Sequence, residues 1–470
     1  MGIAEDSAIV GVIVSVYYLG CALGAVLFSW YADRFGRKKA IFLCLTTASL
    51  GNLIMFLAGI GGQRGALAVM LTGRVIMGLG VGGVDSVIPV YSAELASDEA
   101  RGKALAQEFQ ANILGLNVAF GINLGVTRSL GKVNQWAWRI PIIAMQSYPL
   151  ILLAFTSKLP ESPRWYLYHG SPEKAKAALQ DIYGTDEGKE RYNALKESHA
   201  AEADKHVNYK DMLTPSHPQF HPTMLVIMGQ INQALTGYGA VSVYGPQIFE
   251  LLGFRTGLAE ELTAGNFLSY FLLMTPAWLL IDAVGRRYLM VGGSITLTIC
   301  FLLLALFSGL AYKSVDLDIN PLAPAILGVV TLYIATGAFG IGWLATVWLI
   351  PTEIYPLTAR SQGAAISVII WGLANFGITL LTPIMFNNLE YWLFLVFAGT
   401  NAFAGLWTWL YSPETGGRSF EENQRFFDDA GKKGTWMVKK IEGGSYRKLP
   451  YGGKDAERTP LLQRVEDQLP

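Results

Sequence analysis

Long apolar segments recur along the whole chain, separated by short polar and charged stretches. Each is roughly 20 residues long, the length that an α-helix needs to cross the ~30 Å hydrocarbon core of a bilayer. The pattern predicts eleven membrane-spanning helices, near 7–31, 39–60, 66–91, 103–126, 136–157, 222–245, 261–283, 288–312, 324–350, 361–386 and 389–411. We therefore expect an all-α, polytopic membrane protein, with the lipid bilayer among its partners.

Two polar segments divide this series of spans. The first, 158–221, contains "SPEKAKAALQDIYG" at 171–184, which has the Ser-Pro start and the amphipathic spacing of a surface helix. The second, 412–470, is a polar tail rich in glycine, lysine and arginine. We expect a first helical bundle at 1–157, a helical linker at 158–221, a second bundle of six helices at 222–411 and a tail at 412–470.

The charges are balanced overall but unevenly placed. With 36 basic and 36 acidic side chains the formal net charge is zero, which gives no indication of nucleic-acid binding. Basic clusters lie at alternate loops, in "RFGRKK" (34–39), "RGK" (101–103), "GRR" (285–287) and the tail. Because positive loops stay in the cytoplasm, the linker and the tail are predicted to be cytoplasmic.

Nothing in the composition indicates an enzyme. The three cysteines lie inside apolar segments, where they are typical packing residues, and a disulfide framework is not expected. The five histidines have no nucleophile or metal-ligand pattern around them. We expect no enzymatic activity, no cofactor and no metal.

Three motifs occur twice in the same order, roughly 250 residues apart. They are "DRFGRK" from Asp33 and "DAVGRR" from Asp282, "ELASDEARG" from Glu94 and "EIYPLTARSQG" from Glu353, and "PES" from Pro160 and "PET" from Pro413. Such a series predicts two homologous halves. Two spans precede Asp282 but only one precedes Asp33, so the first half is expected to lack its opening helix.

The repeated motifs place acids and cations at the cytoplasmic ends of spans. We expect them to form an intracellular network of ion pairs that locks the two halves together when the inner side is closed. The alternative is that these charges only set the topology. The candidate network residues are Asp33, Arg37, Glu94, Arg101, Asp282, Arg286, Arg287, Glu353 and Arg360.

These motifs resemble the sugar porter family of the major facilitator superfamily, in its fungal type. The resemblance also rests on "GRVIMGLGVGG" (73–83), "PVYSAE" (89–94), "PESPRW" (160–165), "PTEIYP" (351–356) and "PETGGR" (413–418), and covers nearly the whole chain. It implies a two-bundle fold of twelve helices and alternating-access transport of a sugar or sugar-like polyhydroxylated solute. It also implies that Glu161, Arg164 and Glu414 belong to the cytoplasmic network.

Polar side chains within the spans are candidates for the substrate site, since they are costly in lipid and usually face a cavity. Gln110 and Gln233 are the leading ones, and the resemblance adds Tyr244, Trp348 and Asn375. Family positions are altered at Phe109, Ala234 and Gly239, which leaves open a hexose, another polyol, a cyclic acid such as quinate, or a disaccharide. The alternative role for each amide is hydrogen bonding between helices.

Proton coupling is a further hypothesis. Arg74 matches the arginine that faces a proton-carrying acid in coupled members, while Asp85 and Glu108 are acids in apolar surroundings. Facilitated diffusion is the alternative, and a transporter-like sugar sensor or a non-functional truncated transporter are the other classes. We expect a plasma-membrane protein. "ERTPLL" (457–462) resembles an acidic dileucine signal and makes the vacuolar or endosomal membrane the alternative.

Overall fold

The structure is a computed structural model and describes residues 8–60, 62, 65–95, 101–132, 134–202, 207–314, 317–356, 359–415 and 427. Within these residues the first half contains five long helices. These helices are α1 (Ala8–Phe35), α2 (Arg37–Leu57), α3 (Ala66–Leu95), α4 (Arg101–Leu130) and α5 (Gln135–Thr156). All five correspond to predicted spans. Most extend a few residues further, because a helix continues past the hydrocarbon core into the headgroup region.

Four short helices form the linker. They are α6 (Pro163–Tyr168), α7 (Pro172–Tyr183), α8 (Thr185–Glu202) and α9 (Tyr209–Met212). The helix predicted at 171–184 is confirmed: Pro172 occupies its first turn, where a missing N–H costs nothing, and Gly184 ends it with a φ of 87°. The Tyr209 hydroxyl shares a hydrogen bond with Ser29 of α1, which ties the linker to the first half.

The second half contains six spans, several of them interrupted. Its helices are α10 (Phe220–Leu235), α11 (Tyr238–Leu251), α12 (Thr256–Leu273), α13 (Ala277–Ala283), α14 (Arg286–Tyr312), α15 (Leu322–Phe339), α16 (Ala345–Ile354), α17 (Arg360–Leu389) and α18 (Leu393–Tyr411). The helices α10 and α11 meet at Gly237, whose φ is 82°. A π-helical turn, Gly340–Leu344, joins α15 to α16. Such interruptions are typical of transporter helices that line a binding site.

The number of spans agrees with the prediction. Among the described residues, eight helices are long and apolar enough to cross a membrane, and the pair α12 and α13, bent by 45°, makes nine. One of the eight, Arg360–Tyr411, contains both α17 and α18. The 16-residue α10 and the 14-residue α11 together form one further span. Counting α17 and α18 separately adds one span to the nine, and α10 with α11 adds another, so the described residues hold the eleven expected spans. All regular structure in this part of the chain is helical.

Glycines set the packing of the first half. Gly20 of α1 faces Gly78 of α3, while Gly24 lies against the Leu79 backbone and Gly82 against the Cys21 backbone, so each helix presents a GxxxG pair to the other. A Cβ atom at Gly20 would lie 3.0 Å from the Gly78 Cα, closer than Cβ contacts normally allow. Between membrane helices, where lipid weakens the hydrophobic driving force, close backbone approach of this kind supplies the packing energy.

The two halves meet along two lines. On one, α1 packs against α17, where a Cβ at Gly372 would lie 2.8 Å from the Tyr18 carbonyl oxygen. On the other, α4 packs against α12 and α13, and the Asn117 amide donates to the Phe267 carbonyl at 2.9 Å. A cavity lies between these two lines of contact.

Candidate functional site

Arg37 is the centre of a buried charge cluster in the first half. Its Nη1 lies 2.6 Å from Asp33 Oδ1, one helical turn earlier, and its Nη2 lies 3.1 Å from Glu94 Oε1 at the end of α3. The side chains of Arg37 and Glu94 are both more than nine-tenths buried. A guanidinium in this position needs both acids, since burying one unpaired charge would cost several kcal/mol.

Glu161 completes this cluster by capping the first turn of α2. Its Oε1 accepts a hydrogen bond from the Arg37 backbone N–H at 2.8 Å, and its Oε2 accepts from Lys38 N–H at 3.2 Å. The helix begins after Gly36, which has a φ of 105° and whose absent Cβ leaves the space that the carboxylate occupies. The glutamate of "PES" therefore binds the unsatisfied amides and the positive dipole end of a helix.

The second half repeats this arrangement. Arg286 Nη2 lies 2.9 Å from Asp282 Oδ1 and 2.6 Å from Glu353 Oε1. Glu414 accepts from the backbone amides of Arg286 at 2.8 Å and Arg287 at 3.0 Å. The turn again requires a glycine, Gly285, with a φ of 96°. The pairing of motifs inferred from the sequence thus corresponds to two equivalent sites.

The other predicted network residues lie around these two clusters. Arg287 donates to the Trp409 carbonyl at 2.6 Å and lies over the Trp409 ring. Arg360 is 2% exposed and donates to the Tyr355 carbonyl at 3.4 Å. Arg164 lines a small cavity beside the first cluster. Arg101 begins α4, but its side chain lies outside the described residues.

Both clusters lie at the same end of the bundle, where the two halves also touch. A Cβ on Gly102 of the first half would lie 3.0 Å from Arg286 Nη2 and would meet the Asp282 carboxylate. A 190 Å³ cavity is lined by Asp33 and Arg164 from one side and by Ser361 and Gln362 from the other. This end carries the basic loops and is the predicted cytoplasmic end.

The ion pairs that the structure describes in these clusters join helices within one half. That the network locks the two halves together stays a prediction. At the opposite end, two ion pairs join the halves: Arg128 Nη2 is 2.5 Å from Glu261 Oε1 and Lys132 Nζ is 3.0 Å from Glu260 Oε1.

A central cavity of about 440 Å³ lies between the halves. Its size falls within the ~300–1,000 Å³ typical of small-molecule pockets. Both helix interruptions described above border it, through Gln233 and Tyr238 at one and Phe339 and Leu344 at the other. Its polar lining consists of Tyr17, Tyr18, Asp85, Glu108, Asn112, Gln233, Tyr238, Ser242, Trp348, Trp371 and Asn375.

The cavity brings together three of the predicted substrate residues. Gln233, Trp348 and Asn375 all line it. Gln233 Nε2 donates to the Trp343 carbonyl at 2.9 Å and Asn375 Nδ2 to the Trp371 carbonyl at 2.9 Å. These bonds use the amide nitrogens and fix the orientation of both side chains.

Gln110 and Tyr244 are placed outside the lining. The Gln110 amide donates to Thr275 Oγ1 at 2.8 Å, at the bend between α12 and α13. The Tyr244 hydroxyl donates to the Thr379 carbonyl at 3.1 Å. Gln110 thus forms a hydrogen bond between two helices, which is the alternative role given above for the candidate amide side chains.

The acids of the proton-coupling hypothesis also reach the cavity, but its arginine does not. Asp85 and Glu108 line the cavity, and Glu108 accepts a hydrogen bond from the Ser92 hydroxyl. Arg74, on α3, is not among the lining residues.

Sequence reasoning missed a series of aromatic residues. Tyr17, Tyr18 and Trp371 line the cavity beside Trp348 and Phe109. The rings follow one another in the order Tyr17, Tyr18, Trp371, Trp348 and Phe109. The distances between the centroids of successive rings are 5.3, 5.3, 5.6 and 5.8 Å. Tyrosine and tryptophan usually lie at the membrane interface, so their positions in the middle of predicted spans were the available signal.

A polytopic helical bundle with two repeated halves, matching charge clusters at one end and a cavity between the halves defines the class of membrane transporters that alternate access to a central site. The chain belongs to the family described as "Sugar (and other) transporter", whose model matches residues 3–427.

Relatives and solved structures of this class cover most of the chain. The MFS-type transporter oryC of Aspergillus oryzae is 29% identical over 90% of this chain and 78% of its own length. The major myo-inositol transporter IolT of Bacillus subtilis is 29% identical over 90% of this chain and 87% of its own. The structure of the proton:xylose symporter XylE bound to 6-bromo-6-deoxy-D-glucose has the same fold, with a TM-score of 0.78, 24% identity and 91% of each chain covered.

Proposed function

We propose that the protein transports a sugar or sugar-like polyhydroxylated solute through the central cavity by alternating access. The observation that carries the proposal is the cavity itself, which holds amides and aromatic faces from both halves. Amides donate and accept hydrogen bonds at once and so suit hydroxyl groups, while aromatic rings cover the apolar C–H faces of a sugar. The family and the relatives that transport glucose or myo-inositol support this class of solute.

Three residues are assigned to direct solute contact, namely Gln233, Trp348 and Asn375. Gln110 and Tyr244 have a positioning role at the edge of the cavity, because their hydrogen bonds hold neighbouring helices at fixed distances. The paired clusters around Arg37 and Arg286 hold the cytoplasmic ends of each half together, so that each half moves as one body.

Counterflow of radiolabelled solutes into proteoliposomes tests the proposal. We expect uptake of at least one sugar or polyol, and we expect Trp348→Ala to lower its apparent affinity at least tenfold. Gln180→Ala, in the linker, is the matched control and retains wild-type affinity. Solute binding without flux would favour a sensor instead, and the absence of both would refute transport.

Proton coupling is the finer proposal for the same site, with Asp85 and Glu108 as the candidate acids and Arg74 of α3 as a further candidate residue outside the cavity lining. The structural relative that is a proton:xylose symporter supports it. The expected result is uptake that increases when the outside is made acidic and falls with a protonophore. Uptake insensitive to both would leave facilitated diffusion.

The plasma membrane is the proposed location. The competing location, the vacuolar or endosomal membrane, depends on "ERTPLL", which lies outside the described residues. Changing Leu461 and Leu462 to alanine should leave the distribution of a tagged protein unaltered if the plasma membrane is correct. Movement from internal membranes to the cell surface would support the sorting signal.

A further inference from the structure

The described lining of the central cavity holds acidic side chains and no basic one. Two carboxylates, Asp85 of α3 and Glu108 of α4, are among its lining residues. Within the described part of the chain, the lining contains no lysine, arginine or histidine. A neutral sugar needs hydrogen-bonding groups and no net charge, so the two carboxylates exceed what binding of a neutral solute alone requires.

The two carboxylates differ in how they are held. Glu108 accepts a hydrogen bond from Ser92, which fixes one of its oxygens. For Asp85, neither a hydrogen bond nor an ion pair is found among the described residues, and the residue is half-buried in the cavity lining. A carboxylate inside a membrane bundle is costly unless a charge partner reaches it.

Aromatic residues line the same cavity as these acids. The series of rings begins at Tyr17 and ends at Phe109, both in the first half, with Trp371 and Trp348 of the second half in the middle. Tryptophan and tyrosine faces attract ammonium groups through their negative quadrupole, more strongly where water is excluded. Carboxylates and ring faces around one cavity thus favour the same kind of ligand.

We propose that the solute carries a protonated amine beside its hydroxyl groups, and that Asp85 and Glu108 supply the counter-charge for it. This inference rests on the proposed function and narrows its substrate class from polyols to amino polyols. The ammonium group lies against Asp85 and the aromatic rings, while Gln233 and Asn375 bind hydroxyl groups.

The test uses two solutes that differ at one group. N-methyl-D-glucamine is D-glucitol with a terminal hydroxyl replaced by a methylamino group that is protonated at neutral pH. The dissociation constant of each is measured with purified protein, and counterflow of each with proteoliposomes, for the wild type, Asp85→Asn and Glu108→Gln. Asp181→Asn removes the same kind of charge from the exposed surface of the linker and is the matched control.

We expect the wild type to bind N-methyl-D-glucamine at least tenfold more tightly than D-glucitol. The ratio of the two constants should fall toward one in Asp85→Asn and in Glu108→Gln, and remain unchanged in Asp181→Asn. If Asp85→Asn does not fold, the ratios of dissociation constants measured for the wild type and for Glu108→Gln still test the inference.

Two results would overturn the inference: equal or weaker binding of the amine by the wild type, or a preference for the amine that survives both cavity substitutions. Equal binding of N-methyl-D-glucamine and D-glucitol is also the result expected if Asp85 and Glu108 bind only protons. Transport of D-glucitol or another neutral sugar without preference for the amine would refute this inference and leave the proposed function intact. Absence of flux for every sugar and polyol would refute the proposed function instead.

Discussion

Glu414 provides a direct test of the two charge clusters, because it caps the first backbone amides of α14. Its two oxygens accept from the amides of Arg286 and Arg287 at 2.8 and 3.0 Å, and its side chain is buried. Hydrogen bonds to a charged group contribute ~1.5–3 kcal/mol each. Glu414→Ala removes both and leaves two buried N–H groups without their acceptor. We therefore expect a loss of about 3 kcal/mol in the free energy of unfolding.

Glu414→Gln separates the charge from the geometry. The amide keeps one acceptor oxygen but loses the negative charge that favours the helix N-terminus, so about half of the loss is expected. Glu161→Ala, in the equivalent but more exposed site of the first half, should lose less than Glu414→Ala. Glu250→Ala removes an exposed glutamate at the end of α11 and serves as the control.

The assay is thermal melting of purified protein in detergent, with counterflow measured on the same preparations. The expected order of melting temperature is wild type and Glu250→Ala highest, then Glu414→Gln, then Glu414→Ala. Counterflow should fall in the same order, because α14 would no longer be held to the end of α18. If Glu414→Ala melts with the wild type, the capping carboxylate contributes nothing and the reasoning is refuted.

Two further predictions concern the packing and the outer end. Gly82→Val should prevent folding, because its Cβ would lie 2.5 Å from the Cys21 Cα, whereas Gly125→Val, which has nothing within 4 Å, should give monodisperse protein in size-exclusion chromatography. Arg128→Ala breaks an ion pair with Glu261 whose side chains are about half exposed, so it should change stability by less than ~1 kcal/mol. A large fall in melting temperature for Arg128→Ala, or normal folding of Gly82→Val, would contradict these expectations.

The fold followed from the sequence because lipid imposes a strict rule. A span needs about 20 apolar residues whatever its neighbours are, so the segments could be found one at a time. The third span, predicted at 66–91, is the helix Ala66–Leu95, and the linker helix predicted at 171–184 is Pro172–Tyr183. The interruptions at Gly237 and at Gly340–Leu344 were missed, because each lies inside one predicted span, 222–245 or 324–350.

The candidate site was only partly predictable. Gln233 was found because a polar side chain within a span usually faces a cavity, and Asn375 was added by the family resemblance. Gln110 satisfied the same rule, yet its partner is Thr275 on another helix, which depends on how α4 is rotated against α12. The aromatic residues Tyr18 and Trp371 were missed, although their positions in the middle of predicted spans were an available signal.

The sequence by itself determined the class of protein, the apolar spans in the described part of the chain, the two-fold repeat and the identity of the charged residues in the two clusters, because each of these depends on local composition or on repeated motifs. The tertiary structure alone decided which charges pair, that Glu161 and Glu414 bind helix amides, and that two carboxylates share a cavity with aromatic rings. Those features depend on the rotation and close approach of helices distant in sequence, which packing between side chains fixes and local pattern does not encode.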